Sequence, residues 1–334
     1  MISLSPEKHQ HQIFTGSNML ENRFERDALY FDYSSAANPL LQKIITPIPY
    51  QTFSPSFFEG QSSDIMPLDI SDKIECEGPA TSPSLCANFV RIVKGTLQTS
   101  AQATSQIFYV YKGDGRTDAC GQSILWSQGD FIVLPSHDYA LHHCSETATL
   151  YWVHDAPLLR YLGVVPSAPR FQPTVYKHTK AEQKLKEVAI QATTSAANRV
   201  SVLLANKAFP QTRTVSQTLW AMYGLLPSGK SQLPHRHESV ALDFVIDCKP
   251  GCYTLIGTEL GVDGWIKNPH RENWIPGASF ITPPGYWHSH HNESGADAHV
   301  LPIQDAGLQA FLRTLEIKFS HIEPDGSVHV TDLP

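Results

Sequence analysis

Two short segments of this 334-residue chain hold histidines at spacings suited to metal chemistry. In the first, GKSQLPHRH (229–237), His235 and His237 stand two residues apart. Side chains on a strand alternate between its faces, so both imidazoles leave the same face and make half of a metal site. In the second, GASFITPPGYWHSHHN (277–292), a Pro-Pro-Gly turn is expected to deliver His288 from a neighbouring strand to the same point. Three neutral imidazoles suit Fe, Zn, Cu or Ni. They also leave coordination positions open, as catalytic rather than structural sites do. The chain has 16 histidines, none of them between His11 and His137, and they cluster from His235 onwards. That clustering places the chemistry in the second half.

Such a site must be held by strands. Short apolar runs such as IFYVYKGDGRTDA and GDFIVLPSH, separated by Gly, Pro, Asp and Asn turns, predict an all-β sandwich or barrel. The pattern repeats. GDFIVLP (129–135) aligns with GASFITP (277–283) at an offset of 148 residues, and DAPLLRYL (155–162) with DAGLQAFL (305–312) at 150. Two copies of one β unit, each a closed or nearly closed double-sheet roll with a mouth for a ligand, is the simplest architecture. The expected division is an N-terminal arm over 1–75, with one helix near Met19–Phe31, and a first barrel over 76–178. A helical linker over 179–198 and a second barrel over 199–334, with a C-terminal extension, complete it. In the linker, KAEQKLKEVAIQAT (180–193) puts Leu185, Val188, Ala189 and Ala192 on one helix face.

Composition narrows the partners. With 41% hydrophobic and 17% charged residues the chain has ordinary globular content and can bury a sizeable core. A net charge of −7 leaves no basic footprint, which argues against nucleic acid and against an anionic membrane surface. No apolar run approaches the length of a membrane span, and MISLSPEKHQHQIF has no apolar signal core. The six cysteines show no CxxC pair and no framework spacing, so reduced thiols and a cytoplasmic setting are expected.

Gly229, His235 and His237, with Gly277, Pro283, Gly285, His288 and Asn292, match position for position the motifs G-x5-H-x-H and G-x5-P-x-G-x2-H-x3-N. Those are the two motifs of the cupin superfamily. The chain therefore resembles a bicupin, which implies two cupin (double-stranded β-helix, or jelly-roll) barrels with an N-terminal arm and a few short helices. Many cupins add a glutamate ligand four or five residues after the second histidine. Here those positions are Ala241 and Leu242, and Glu238 should point to the opposite face.

A narrower resemblance covers most of the chain from about residue 75 and is strongest over 220–295. HRHESVALDFVIDCKPGCYTLIG and PPGYWHSHHNE are similar to the gentisate and salicylate ring-cleaving dioxygenases. That resemblance implies Fe(II) held by His235, His237 and His288, a small aromatic substrate with O2 as co-substrate, and a homo-oligomer. It matches His290 to a histidine near the substrate that assists proton movement, Trp220 to a pocket wall and Arg199 to a substrate-binding arginine.

One position departs. Where the similar enzymes have Ala-Leu-Arg-Phe, this chain has Ala241-Leu242-Asp243-Phe244. Asp243 is expected to face the barrel interior, where a carboxylate without a partner is costly. Its partner would be a cation such as Arg199, a water network or a donor on the ligand. A carboxylate here disfavours a simple gentisate-like acid and makes Asp243, with His290, a candidate for catalysis and for substrate contact. His270 and His291 are expected at the surface or behind the ligands. Zn, Mn or Ni acting as a Lewis acid in an isomerase, lyase or hydrolase fits the same motifs, as does a non-catalytic barrel that binds a small molecule.

The first half has lost the ligand positions. GTLQTSAQATSQ (95–106) holds no histidine, and Ala140 stands where His288 stands in the second half. His137, His142 and His143 remain nearby, and a structural barrel is expected there.

Overall fold

The computed structural model of the chain describes residues 24–192, 200–323 and 325–332. Residues up to Ile45 form one compact unit and those from Thr46 onwards another. In the first unit the helix lies later than expected. Phe24–Asp27 is a turn, and the helical residues are Tyr33–Ala36, capped by the Asp32 carboxylate, which accepts from the Ser34 amide. Phe24, Leu29, Tyr30 and Phe31 are all exposed. No packed face therefore offsets the cost of nucleating a helix over 24–31. Residues 19–23 lie outside the described residues.

The larger unit contains two antiparallel barrels, each of two sheets. In the first, a six-stranded sheet runs in the order 174–176, 131–135, 105–112, 148–154, 86–92, 64–67, and a four-stranded sheet in the order 95–99, 140–144, 114–119, 122–127. In the second, one six-stranded sheet runs 51–53, 279–282, 241–247, 298–304, 220–226, 200–204. The other runs 270–273, 252–257, 287–292, 235–237, 317–322, 328–331. Residues 51–53 and 64–67, upstream of both barrels, thus each add an edge strand to a different one.

The six-stranded sheet of the first barrel packs face to face on the sheet of the second that contains 241–247. Phe89, Tyr109, Phe131 and Tyr151 from the first barrel share one core with Tyr223, Leu242, Phe244 and Leu301 from the second. At its centre the Tyr151 and Phe244 rings stack with centroids 4.6 Å apart. The central strands of these sheets are therefore covered on both sides, which is why stretches such as Cys86–Ile92 are buried at every residue. Alternation sorts the faces. Leu242 and Phe244 enter the shared core, while Val245 joins Leu226, Trp274, Phe280 and Val300 inside the second barrel.

The sequence repeat has a spatial counterpart. The helices Ala156–Leu162 and Ala306–Leu312 follow Asp155, which is buried, and Asp305, which is half-buried. Each accepts from a hydroxyl of the other barrel: Thr218 donates to Asp155 at 2.9 Å, and Ser84 to Asp305 at 2.7 Å. Burial pushes both carboxyls up, Asp305 to about 6. Main-chain amides of Thr104 and Ser105 on Asp155, and of Val240 on Asp305, pull the other way. The linker is helical over His178–Ala192. It buries Ala181 and Leu185, and its Glu182 accepts from the Tyr223 hydroxyl at 3.0 Å.

Candidate metal centre

His235 and His237 occupy a three-residue strand whose partner on one side is Trp287–Asn292, with His235 directly opposite His288. Gly285, at φ +75, makes the turn into that partner strand and donates its amide to the His237 carbonyl at 2.8 Å. This backbone conformation favours glycine, which explains the residue in the motif. Asn292 anchors the far end. Its amide donates to the Leu226 and Ala296 carbonyls, and its oxygen accepts from the Ser294 amide. Gly and Asn in the motifs thus build the turns, and the histidines are left as the groups able to hold a metal.

All three histidines are buried, and one ring nitrogen from each lies within 4.8 Å of those of the others. Their Nδ1 atoms face main-chain carbonyls: His235 that of His288 at 3.1 Å, His237 that of Ser239 at 2.8 Å, His288 that of Tyr286 at 3.0 Å. A carbonyl only accepts, so each Nδ1 carries the hydrogen and each Nε2 presents a lone pair. This is the tautomer a divalent ion needs, held by the kind of outer hydrogen bond that orients metal-ligating imidazoles. The donor set fits the ion that the motifs imply.

Of the other candidates, His290 lies beside these rings. His290 is buried, 5.9 Å from His288 and 6.3 Å from His235 by ring centroids. Its Nδ1 is 2.8 Å from the Thr254 hydroxyl, which also accepts from the Trp274 indole at 2.8 Å. Trp220 opens its strand opposite Gln304. Asp243 faces the barrel interior as expected, but its partner among the described residues is a hydroxyl rather than a cation: Thr282 donates to it at 2.7 Å. Burial pushes the Asp243 carboxyl up to about 7, against the downward pull of that hydrogen bond. Arg199 lies outside the described residues. His291 leaves the opposite face of the strand from His290, yet it is buried rather than at the surface because Tyr253 stacks on it and Ser231 and Ser289 bond to it there. His270 is exposed, and Glu238 is exposed beside Arg236.

The first barrel shows what remains when the ligands go. Thr99 pairs with Ala140 where His235 pairs with His288. Yet His142 and Trp126, at the same offset of 148 from His290 and Trp274, keep the same arrangement. The Trp126 indole donates to Thr117, whose hydroxyl is 2.8 Å from His142 Nδ1. The other ring nitrogen of His142 meets Thr99 at 2.9 Å, and burial pushes this imidazole down to about 3, so it is neutral. The Trp–Thr–His trio therefore belongs to the fold of both barrels, and among the described residues only the second adds three clustered histidines. Metal analysis of the loaded protein is expected to find one divalent ion per chain; two would mean that the first barrel binds as well.

Gln304, Ser239, Thr254, Trp274 and Thr282 were not singled out from sequence. Each sits on another strand or loop, and only the pairing register brings it to the site.

No family model matches the chain. A gentisate 1,2-dioxygenase from Aquipseudomonas alcaligenes is 31% identical over 145 residues, which is 42% of this chain and 38% of that relative's length. Among solved structures, a salicylate 1,2-dioxygenase from Pseudaminobacter salicylatoxidans superposes with a TM-score of 0.65 at 13% identity, covering 81% of this chain and 88% of that one. An adduct of the same enzyme with gentisate gives a TM-score of 0.67 at 12% identity, over 86% and 90% of the two chains. At this identity the likeness to the solved structures is one of fold, and the fold is all-β with two cupin barrels.

Proposed function

We propose that this two-barrel cupin chain is an Fe(II)-dependent dioxygenase that oxidises or ring-cleaves a small electron-rich aromatic other than a simple gentisate-like acid. The carrying observation is the three buried imidazoles, each with Nδ1 tied to a carbonyl and a nitrogen lone pair turned to one place. Bound there, ferrous iron would supply redox chemistry and a template that orients an aromatic against O2. The name of the sequence relative, a gentisate 1,2-dioxygenase, supports dioxygenation as the reaction class.

The remaining work falls to the chain's own groups. Trp220 walls the pocket, and His290, aimed by Thr254, takes or returns a proton at its ring. Asp243 is able to hold a proton near neutral pH and then to donate to a substrate oxygen, a role an ionised carboxylate cannot fill. Among the described residues the only fully buried Lys or Arg is Arg91, in the first barrel, so the second barrel offers no fully buried described cation to clamp an acidic substrate. This favours a phenol or aminophenol. No helix of the described residues is long and apolar enough to cross a membrane. In this reading the chain works in the cytoplasm as a homo-oligomer, which light scattering on purified protein tests.

The test of the activity is iron analysis of anaerobically purified protein, followed by oxygen uptake with phenols, aminophenols and gentisate. Bound iron and uptake with a phenol or aminophenol are expected. Efficient turnover of gentisate would overturn the reading of Asp243. Zinc with no uptake would move the site to Lewis-acid chemistry, and no metal after loading would overturn the metal centre itself.

A further inference from the structure

The three-imidazole set lacks the glutamate that many cupins place after the second histidine, and the ladder shows what stands in its stead. Ala241, one of the two positions where that glutamate would fall, pairs directly with Gln304 on the neighbouring strand. Residues that pair across antiparallel strands share a face, so the Gln304 side chain rises beside the short Ala241 methyl into the space the longer carboxylate would use. Gln304 is buried, and its amide nitrogen lies 3.5 Å from Nε2 of His237. That Nε2 is the acceptor nitrogen of the ring, because Nδ1 of His237 gives its hydrogen to the Ser239 carbonyl.

The orientation of the carboxamide is set from behind. The Ser239 hydroxyl donates to its oxygen at 2.9 Å, which leaves the NH2 group on the side of the site. Ser239 thus fixes both His237 and Gln304. On its other side Gln304 pairs with Trp220, whose buried indole N–H has no hydrogen-bond partner among the described residues. Two neutral donors therefore stand side by side along one edge of the centre.

We infer that Gln304 is a specificity residue that replaces the missing carboxylate ligand with a hydrogen-bond donor. With an ion on the His237 lone pair, the Gln304 N–H loses that acceptor and is left beside the open coordination positions. It then selects a ligand that presents an oxygen acceptor there, and a phenolic oxygen is the chemistry that fits. This deepens the metal-centre reading and rests on it.

The test uses Co(II) alone and then 4-nitrocatechol on the Co(II)-loaded full chain. Calorimetry measures affinity, visible absorption reports coordination, and circular dichroism checks the fold. Gln304→Leu is expected to keep Co(II) affinity within about threefold while weakening 4-nitrocatechol by roughly tenfold, the loss of one hydrogen bond to a charged or polarised oxygen. Gln304→Glu is expected to tighten Co(II) by about tenfold or more and to change its visible bands as an oxygen ligand joins. Ser239→Ala, which frees the carboxamide without removing it, should weaken 4-nitrocatechol in the same direction. A folded Gln304→Leu protein that binds 4-nitrocatechol like the wild type would overturn the inference, as would a Gln304→Glu protein with unchanged bands. Either result leaves the metal centre standing. Failure of the wild type to bind Co(II) at all would overturn both.

Discussion

Replacing His288 with alanine is expected to abolish divalent-metal binding and, with it, oxygen consumption. His288 joins the site across a single pair, His235↔His288, and its Nδ1 is held by the Tyr286 carbonyl, so its lone pair arrives already oriented. Without it the centre keeps two imidazoles, and no carboxylate stands ready to replace the third, because the expected glutamate position is Ala241. Loss of an outer hydrogen bond to a ligand typically weakens metal binding by about 10–100-fold. Loss of the ligand itself should exceed that range. Calorimetric titration with Fe(II) under argon reads the effect directly. A variant that binds within about tenfold of the wild type would place the ion elsewhere.

Asp243→Asn is expected to stabilise the protein at neutral and alkaline pH and to have little effect at pH 4. The buried carboxyl titrates at about 7, against about 3.9 for an unfolded aspartate. Between those values the folded chain holds a proton that the unfolded chain has released. Stability therefore falls as pH rises from about 4 to 7 and stays low beyond. The full cost of carrying Asp243 is on the order of 4 kcal/mol above pH 7, and asparagine, which keeps an acceptor for Thr282, removes it. Thermal melts from pH 4 to 9 should show the two proteins together at the acid end and the variant several degrees higher at the alkaline end. A gap independent of pH would mean that the carboxyl is ionised throughout. A group kept at such a cost is a candidate for function rather than for folding.

The meeting of His235, His237 and His288 was legible from sequence because its geometry is local. His235-x-His237 fixes a common face by strand period alone, and the Pro-Pro-Gly turn needs only Gly285 to reach its positive φ. The two barrels were legible for a related reason: the repeated GDFIVLP and DAPLLRYL segments form matching strands and matching helices after Asp155 and Asp305.

What escaped depends on register between distant strands. Gln304 opposite Ala241 is separated from it by 63 positions, and Thr282 is 39 from Asp243. Nothing within either segment marks the pairing. A slip of one residue would turn every side chain of the strand to the other face, and only the packing of both sheet faces excludes it. The same limit applies to the crossed hydrogen bonds of Thr218 and Ser84, which exist only once one barrel has docked on the other. The sequence by itself determined which atoms are available to bind a metal, since spacing along one chain suffices for that. The tertiary structure decided what stands with them, a neutral Gln304 beside His237 and a protonatable Asp243 two residues along the strand from Ala241, the partner of Gln304, because those positions are set by how the sheets close.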